Sequence, residues 1–340
     1  MPIRVRITNK SRIKRSSPIF LKRVAAIIGA AGLIAWSDAA TTSVYSPATP
    51  ARNAGANDGT VLQEIDVPGH AAGTAPLSTM ISSPTSRSIV QRNSSGVGVI
   101  PISGTYQGSP NRIEARAVVM DDRAHSGAST GWQTIATMPA GGSYSGALTE
   151  VAAGGWYQIE VRAVAGDVPE EAAVVKKVGV GDIYLTAGQS NSANHGTPPY
   201  TPADDRVSVR LDASGALWRQ GYDPMPIATG DGGSPWSRLG DQLAFADNIP
   251  VGFLCVGVGS TATSDWLPGS ANYETRLKPA VKSFPTGGFR AILWHQGESD
   301  SIANVPAATY ASRMAAIIAA TRSDSGWAVP WYVAEASFHP

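Results

Sequence analysis

Val178-Gly179-Val180-Gly181-Asp182-Ile183-Tyr184-Leu185-Thr186-Ala187-Gly188-Gln189-Ser190-Asn191 is the stretch on which the fold turns. Val178 to Thr186 is a short apolar run, the pattern of a buried strand, and Gly188-Gln189-Ser190-Asn191 is where that strand would end. About a hundred residues later Phe289 to Leu293 reads as another buried strand, running into Trp294-His295-Gln296-Gly297-Glu298-Ser299-Asp300. Open α/β sheets keep their ligand crevice at such strand ends. One peptide brings a hydroxyl, the other a side-chain amide.

Outward from this stretch, strands and helices alternate. Ser234-Pro235-Trp236 reads as an N-cap serine, a proline at the first helical position and the start of an apolar stripe. Val251 to Val258 follows as a strand, Tyr273 to Phe284 as a helix, and Ala328 to Ala334 as a last strand. Pro306 to Thr321 predicts a helix with Tyr310, Met314, Ile317 and Ile318 on one face. The expectation for residues 178–340 is a three-layer α/β domain.

Upstream the pattern changes. Residues 96–177 hold short alternating runs (Ile113 to Met120, Trp132 to Met138, Tyr144 to Val151, Trp156 to Val164, Ala172 to Val178) broken by Gly, Ser, Pro and Asp, which predicts a small immunoglobulin-like β-sandwich. Trp132, Trp156 and Tyr157 could stack on sugars, but aromatics at strand spacing are expected in the core. Residues 41–95, rich in Ser, Thr, Pro, Ala and Gly, read as an irregular linker with a short strand at Thr60 to Val67.

Residues 1–40 read as a signal peptide or a basic N-terminal anchor. Arg4, Arg6, Lys10, Arg12, Lys14, Arg15, Lys22 and Arg23 precede an apolar stretch, Val24 to Trp36, and Ser37-Asp38-Ala39-Ala40 offers small residues for cleavage. A helix of that stretch is roughly 20 Å long, short of a hydrocarbon core of about 30 Å, so export to a secreted or periplasmic location fits better than a membrane span. Cleavage after Ala39 would take the formal charge from +1 to about −6, which argues against nucleic acid as a partner. The single cysteine, Cys255, lies in an apolar run and reads as a core thiol.

The chemistry follows from the strand ends. A serine hydroxyl needs a base to remove its proton, and acyl transfer also needs donors for the oxyanion. The Ser190 N–H can be one donor if a helix begins there. Gly259, in Val256-Gly257-Val258-Gly259-Ser260-Thr261, ends the second strand and lets an oxygen approach its N–H, and the Gln296 amide can aim at the same point. Taken singly, Ser190 could as well cap a helix, Gly259 form a turn and Gln296 tie two loops together. No cofactor is implied, and none of the five histidines has a metal-ligand spacing.

Together, Gly188-Gln189-Ser190-Asn191, Gly259-Ser260-Thr261 followed by Trp266, and Trp294 to Asp300 resemble the SGNH-hydrolase superfamily, in its branch of sialate O-acetylesterases and acetyl-xylan esterases. The resemblance covers about Val178 onward. It implies a flavodoxin-like α/β/α fold, Ser190 as nucleophile, Gly259 and Gln296 as oxyanion donors, and an acetylated carbohydrate as substrate. Many members carry two glycines where this chain has Gly259-Ser260, which leaves the Ser260 amide as the alternative donor. Asn191, His295 and Glu298 are expected to support the Gln296 loop and the nucleophile turn.

The family's general base comes from a C-terminal Asp-x-x-His, and no such sequence follows Asp300. His195, His295 and His339 are the remaining candidates, and the expectation is that the base lies beyond residue 340, the chain being a fragment of little activity. A degenerate, non-catalytic carbohydrate-binding protein and a general short-chain esterase are the competing readings.

Overall fold

The computed structural model describes residues 76–120, 126–213 and 217–336. The signal-peptide reading of 1–40, the strand expected at Thr60 to Val67 and His339 lie outside them.

Eight strands precede the long run: β1 (Ser78–Ser83), β2 (Ile89–Gln91), β3 (Val97–Gln107), β4 (Arg112–Val119), β5 (Gln133–Thr137), β6 (Ser143–Ala152), β7 (Trp156–Ala165) and β8 (Val168–Pro169). Two of them correct the expectation of an irregular 41–95, because β1 pairs antiparallel with β3 and β2 pairs parallel with the long strand that follows. β1, β3 and β6 form one sheet, while β7, β4 and β5 extend a larger one. Ile100, Ile102 and Leu148 from the first meet Ile113, Tyr157, Ile159 and Val161 from the second in one apolar cluster. Trp156 and Tyr157 are buried, as core aromatics should be. Trp132 is half-buried, with the guanidinium carbons of Arg162 and Arg116 at 3.9 and 4.6 Å from its ring centroid.

β9 (Ala173–Gly188) joins the two halves of the chain. Its first five residues alternate in burial and the remaining eleven are all buried. The first pattern belongs to a half-covered antiparallel strand beside β7, the second to a parallel strand covered on both faces. The boundary expected at 177/178 falls inside this strand, at Lys177, whose φ of +60° marks an irregularity in its pairing with β7.

The rest of the chain forms β10 (Val207–Arg210), β11 (Trp218–Gln220), α1 (Pro235–Asp247), β12 (Val251–Cys255), α2 (Lys278–Lys282), β13 (Ala291–His295), α3 (Glu298–Ile302), α4 (Ala307–Ser325) and β14 (Trp331–Val333). The result is a mixed α/β fold around a large sheet. Its order here is β11-β10-β12-β9-β13-β14, parallel except for β11. Alternate residues of β9 feed two cores. Ile183, Leu185 and Ala187 join Val281 of α2 and Tyr310, Met314 and Ile317 of α4, while Tyr184 joins Trp236, Leu239 and Leu243 of α1. Each buried Val, Leu, Ile or Met among these contributes about 1.5–3 kcal/mol of apolar transfer.

The caps match the sequence. The Ser234 hydroxyl accepts the Trp236 N–H, Pro235 fills the first helical position, and Gly326 closes α4 at φ +70°. Cys255 is buried, and burial pushes its thiol up to about 12. At the start of the parallel part, Asp182 is 3% exposed and ion-pairs with both Arg92 and Arg290, fixing the segment after β2 to the sheet. Among the described residues no helix is long and apolar enough to cross a membrane.

Candidate active site

Register places the site. Cys255 lies opposite Thr186 and His295 opposite Gly188, so β12, β9 and β13 end at one level with β9 in the middle. Because the chain leaves β9 toward β10 and β12 on one side and returns to β13 on the other, this end is a topological switch point. The Val258 N–H bonds Gly188 O at 2.9 Å and the Gln189 N–H bonds His295 O at 3.0 Å, drawing all three exits together.

Ser190 begins a single 3-10 turn, Ser190–Ser192. The leading amides of such a turn have no partner within it and point outward. Gln189, to which the sequence reading gave no role, is buried and anchors the turn: its Oε1 accepts the N–H groups of Gly297 at 3.3 Å and Ser299 at 3.1 Å. Asn191 Nδ2 donates to Glu298 Oε1, tying the same turn to α3.

Gly259 follows β12, and its N–H is held by Thr229 Oγ1 at 2.8 Å. His195 Nε2 stands 3.3 Å from the same hydroxyl, and a Cβ on Gly259 would fall 2.6 Å from that nitrogen. The loop carrying Thr229 is pinned by buried Asn194, whose Nδ2 donates to Met225 O and Ala228 O, both at 2.9 Å, and whose Oδ1 accepts the Met225 N–H at 2.7 Å. Neither Thr229 nor Asn194 stood out in the sequence. Ser260 takes φ +58°, the left-handed region in which a glycine is more at ease.

Gln296 departs from its expected aim. It is 1% exposed, and its Nε2 donates to Asp300 Oδ2 at 2.6 Å and Thr261 O at 3.1 Å, which uses both amide hydrogens. The physical reason is Asp300, a buried carboxylate one helical turn on, which takes charge-assisted bonds. The same carboxylate accepts the Thr263 N–H and Oγ1–H at 2.7 Å each and meets Arg313 Nη1 at 3.2 Å. Gln296 therefore braces two loops in this structure.

His295 and Glu298 are buried, with Nε2 and Oε1 3.8 Å apart. Burial lowers the imidazole against the opposing pull of Glu298, which favours the neutral ring. Among the described residues, no hydrogen bond joins the Ser190 hydroxyl to a histidine. Nor do the described residues include a group of three or more His, Cys, Asp or Glu that could hold a metal ion.

The serine turn and the glycine strand end come together at the switch point of a parallel sheet, and the sequence over this part of the chain is similar to carbohydrate esterases. The particular family whose model matches is described as carbohydrate esterase, sialic acid-specific acetylesterase, and the match covers residues 180–338. A probable carbohydrate esterase of Arabidopsis thaliana is 28% identical over 168 residues, 42% of this chain and 63% of the relative's length. Two solved structures are also similar. A carbohydrate acetylesterase from Xanthomonas citri has a TM-score of 0.45 and 18% identity, over 75% of this chain and 60% of that one. A protein from Arabidopsis thaliana has a TM-score of 0.37 and 22% identity, over 45% of this chain and 72% of that one.

Proposed function

We propose that this protein is a serine esterase that removes O-acetyl groups from carbohydrates, acetylated sialic acid or acetylated plant polysaccharide being the substrate classes. The observation that carries the reading is the Ser190 turn standing level with the Gly259 strand end at the switch point. Ser190 Oγ attacks the acetyl carbonyl carbon. The oxyanion lies between the N–H groups of Ser190 and Gly259, the carbon–oxygen bond to the sugar breaks, and the sugar alcohol leaves with a proton. Water then attacks the acyl-serine and releases acetate. Gln296 serves by holding Thr261 and Asp300, and none of the described histidines is assigned as the base.

On this reading the sheet with helices on its two faces is the α/β/α frame of the superfamily, and the strands before β9 form an immunoglobulin-like module. A crystal structure placing α1 and α4 on one face of the sheet would remove that frame.

A fluorophosphonate probe tests the site directly. It is expected to label the wild type and to spare Ser190→Ala, and equal labelling of both would end the assignment. Comparing acetylated xylan, acetylated sialic acid, p-nitrophenyl acetate and longer acyl esters separates the carbohydrate reading from a general esterase.

A further inference from the structure

The Gly259 N–H, placed above as an oxyanion donor, already has an acceptor, Thr229 Oγ1 at 2.8 Å. A carbonyl oxygen accepting the same N–H would stand roughly 2.9 Å from the nitrogen along the same direction. Hydroxyl and substrate oxygen thus compete for one place.

The backbone of Thr229 is fixed on both sides. Its N–H donates to Gly257 O at 3.0 Å and its carbonyl accepts the Asn194 N–H at 2.9 Å, while the Asn194 side chain holds the loop behind it. The freedom that remains is rotation about χ1, among the staggered wells open to a β-branched side chain. His195 Nε2, on an exposed ring, lies 3.3 Å from the hydroxyl, within hydrogen-bonding reach of it.

We propose that the Thr229 hydroxyl is a placeholder for the substrate's carbonyl oxygen. It satisfies the Gly259 N–H in the empty site and turns aside when an ester binds. The proposal rests on the esterase reading and on Gly259 as a donor within it. Its consequence is a linkage. Binding exchanges one acceptor for another on the same N–H, so the gain from that bond is small in the wild type. With the hydroxyl replaced by a methyl of the same shape, the N–H is unpaired in the empty site and the ligand alone pairs it. Affinity should then rise while the empty protein loses stability.

The experiment measures binding of phenylboronic acid, which forms a tetrahedral adduct on a serine and places an oxygen where the oxyanion would be. Calorimetry and thermal shift are run on the full chain as wild type, Thr229→Val, Thr229→Ser, Thr229→Ala and Ser190→Ala. Thr229→Val is expected to bind about three- to tenfold tighter and to show a larger ligand-induced rise in Tm. Thr229→Ala, the second variant should valine not fold, is expected to do the same, and Thr229→Ser to match the wild type. If the valine and alanine variants bind no tighter while Ser190→Ala loses binding, the placeholder is overturned and the esterase reading stands. Equal binding by the wild type and Ser190→Ala overturns both.

Discussion

Gly188 lies directly opposite His295 across the β9–β13 pair, so close that a Cβ on Gly188 would stand 2.1 Å from the His295 carbonyl oxygen. The glycine also has φ +130°, which side-chain-bearing residues rarely adopt. Two constraints therefore meet at the residue that launches the Ser190 turn. Gly188→Ala must displace the β13 exit or the turn itself, and the expected cost is about 2–4 kcal/mol. Urea unfolding measures it, and a loss below about 0.5 kcal/mol would show that this close approach is not real.

Gln296 and Asp300 supply a second expectation. Gln296→Ala leaves the buried Asp300 carboxylate short of one charge-assisted donor and opens a cavity, for a loss of about 2–3 kcal/mol. Gln296→Glu sets a second carboxyl against the first and should lose more. If Gln296→Ala instead keeps full stability while fluorophosphonate labelling of Ser190 falls, the amide faces the ligand and the brace is wrong.

Those contrasts show what the sequence could carry. The run from Val178 to Thr186 announced a strand because it lies within eleven consecutive buried positions, Val178 to Gly188, which leave no room for polar alternation. The change of pattern at Lys177 was equally visible and suggested a boundary. That the strand continues through it was not visible, because a positive φ is a property of the backbone. β1, Ser-Thr-Met-Ile-Ser-Ser, was missed because its inward positions are only half-buried and two of those three are polar. At the site, strand length alone aligned Ser190, Gly259 and Gln296. Their hydrogen-bond partners, Thr229 and Asp300, depend on how loops close in three dimensions, which Gly, Pro and Asp content does not specify.

Ser260 gives a prediction of opposite sign. A non-glycine residue at φ +58° costs roughly 1–2 kcal/mol of backbone strain, and Ser260 is exposed, with no large side chain to repay it. Ser260→Gly relieves the strain but adds freedom to the unfolded chain, so the net gain expected is about 0.5–1 kcal/mol. Ser260→Val should be destabilising instead, because a β-branched side chain tolerates this region least. Thermal unfolding of the two variants decides it, and a lower Tm for the glycine variant would contradict the strained geometry.

Asp182 sets how the fold should respond to acid. Burial alone would raise its carboxyl, but the hydrogen bonds and charges of Arg92 and Arg290 outweigh that and hold it below its ordinary value of 3.8. A carboxyl depressed in the folded state stabilises the protein above the unfolded value. That contribution falls away as pH drops through 3.8 toward the folded value, because the unfolded chain then binds the proton more readily. Wild-type unfolding free energy should therefore decline steeply below about pH 4. Asp182→Asn should be less stable at neutral pH, where Arg92 and Arg290 lose their shared acceptor, yet show a shallower acid decline. Urea unfolding of both proteins from pH 7 to pH 3 provides the comparison. Parallel curves would mean that the carboxylate between the two arginines has the same proton affinity folded and unfolded.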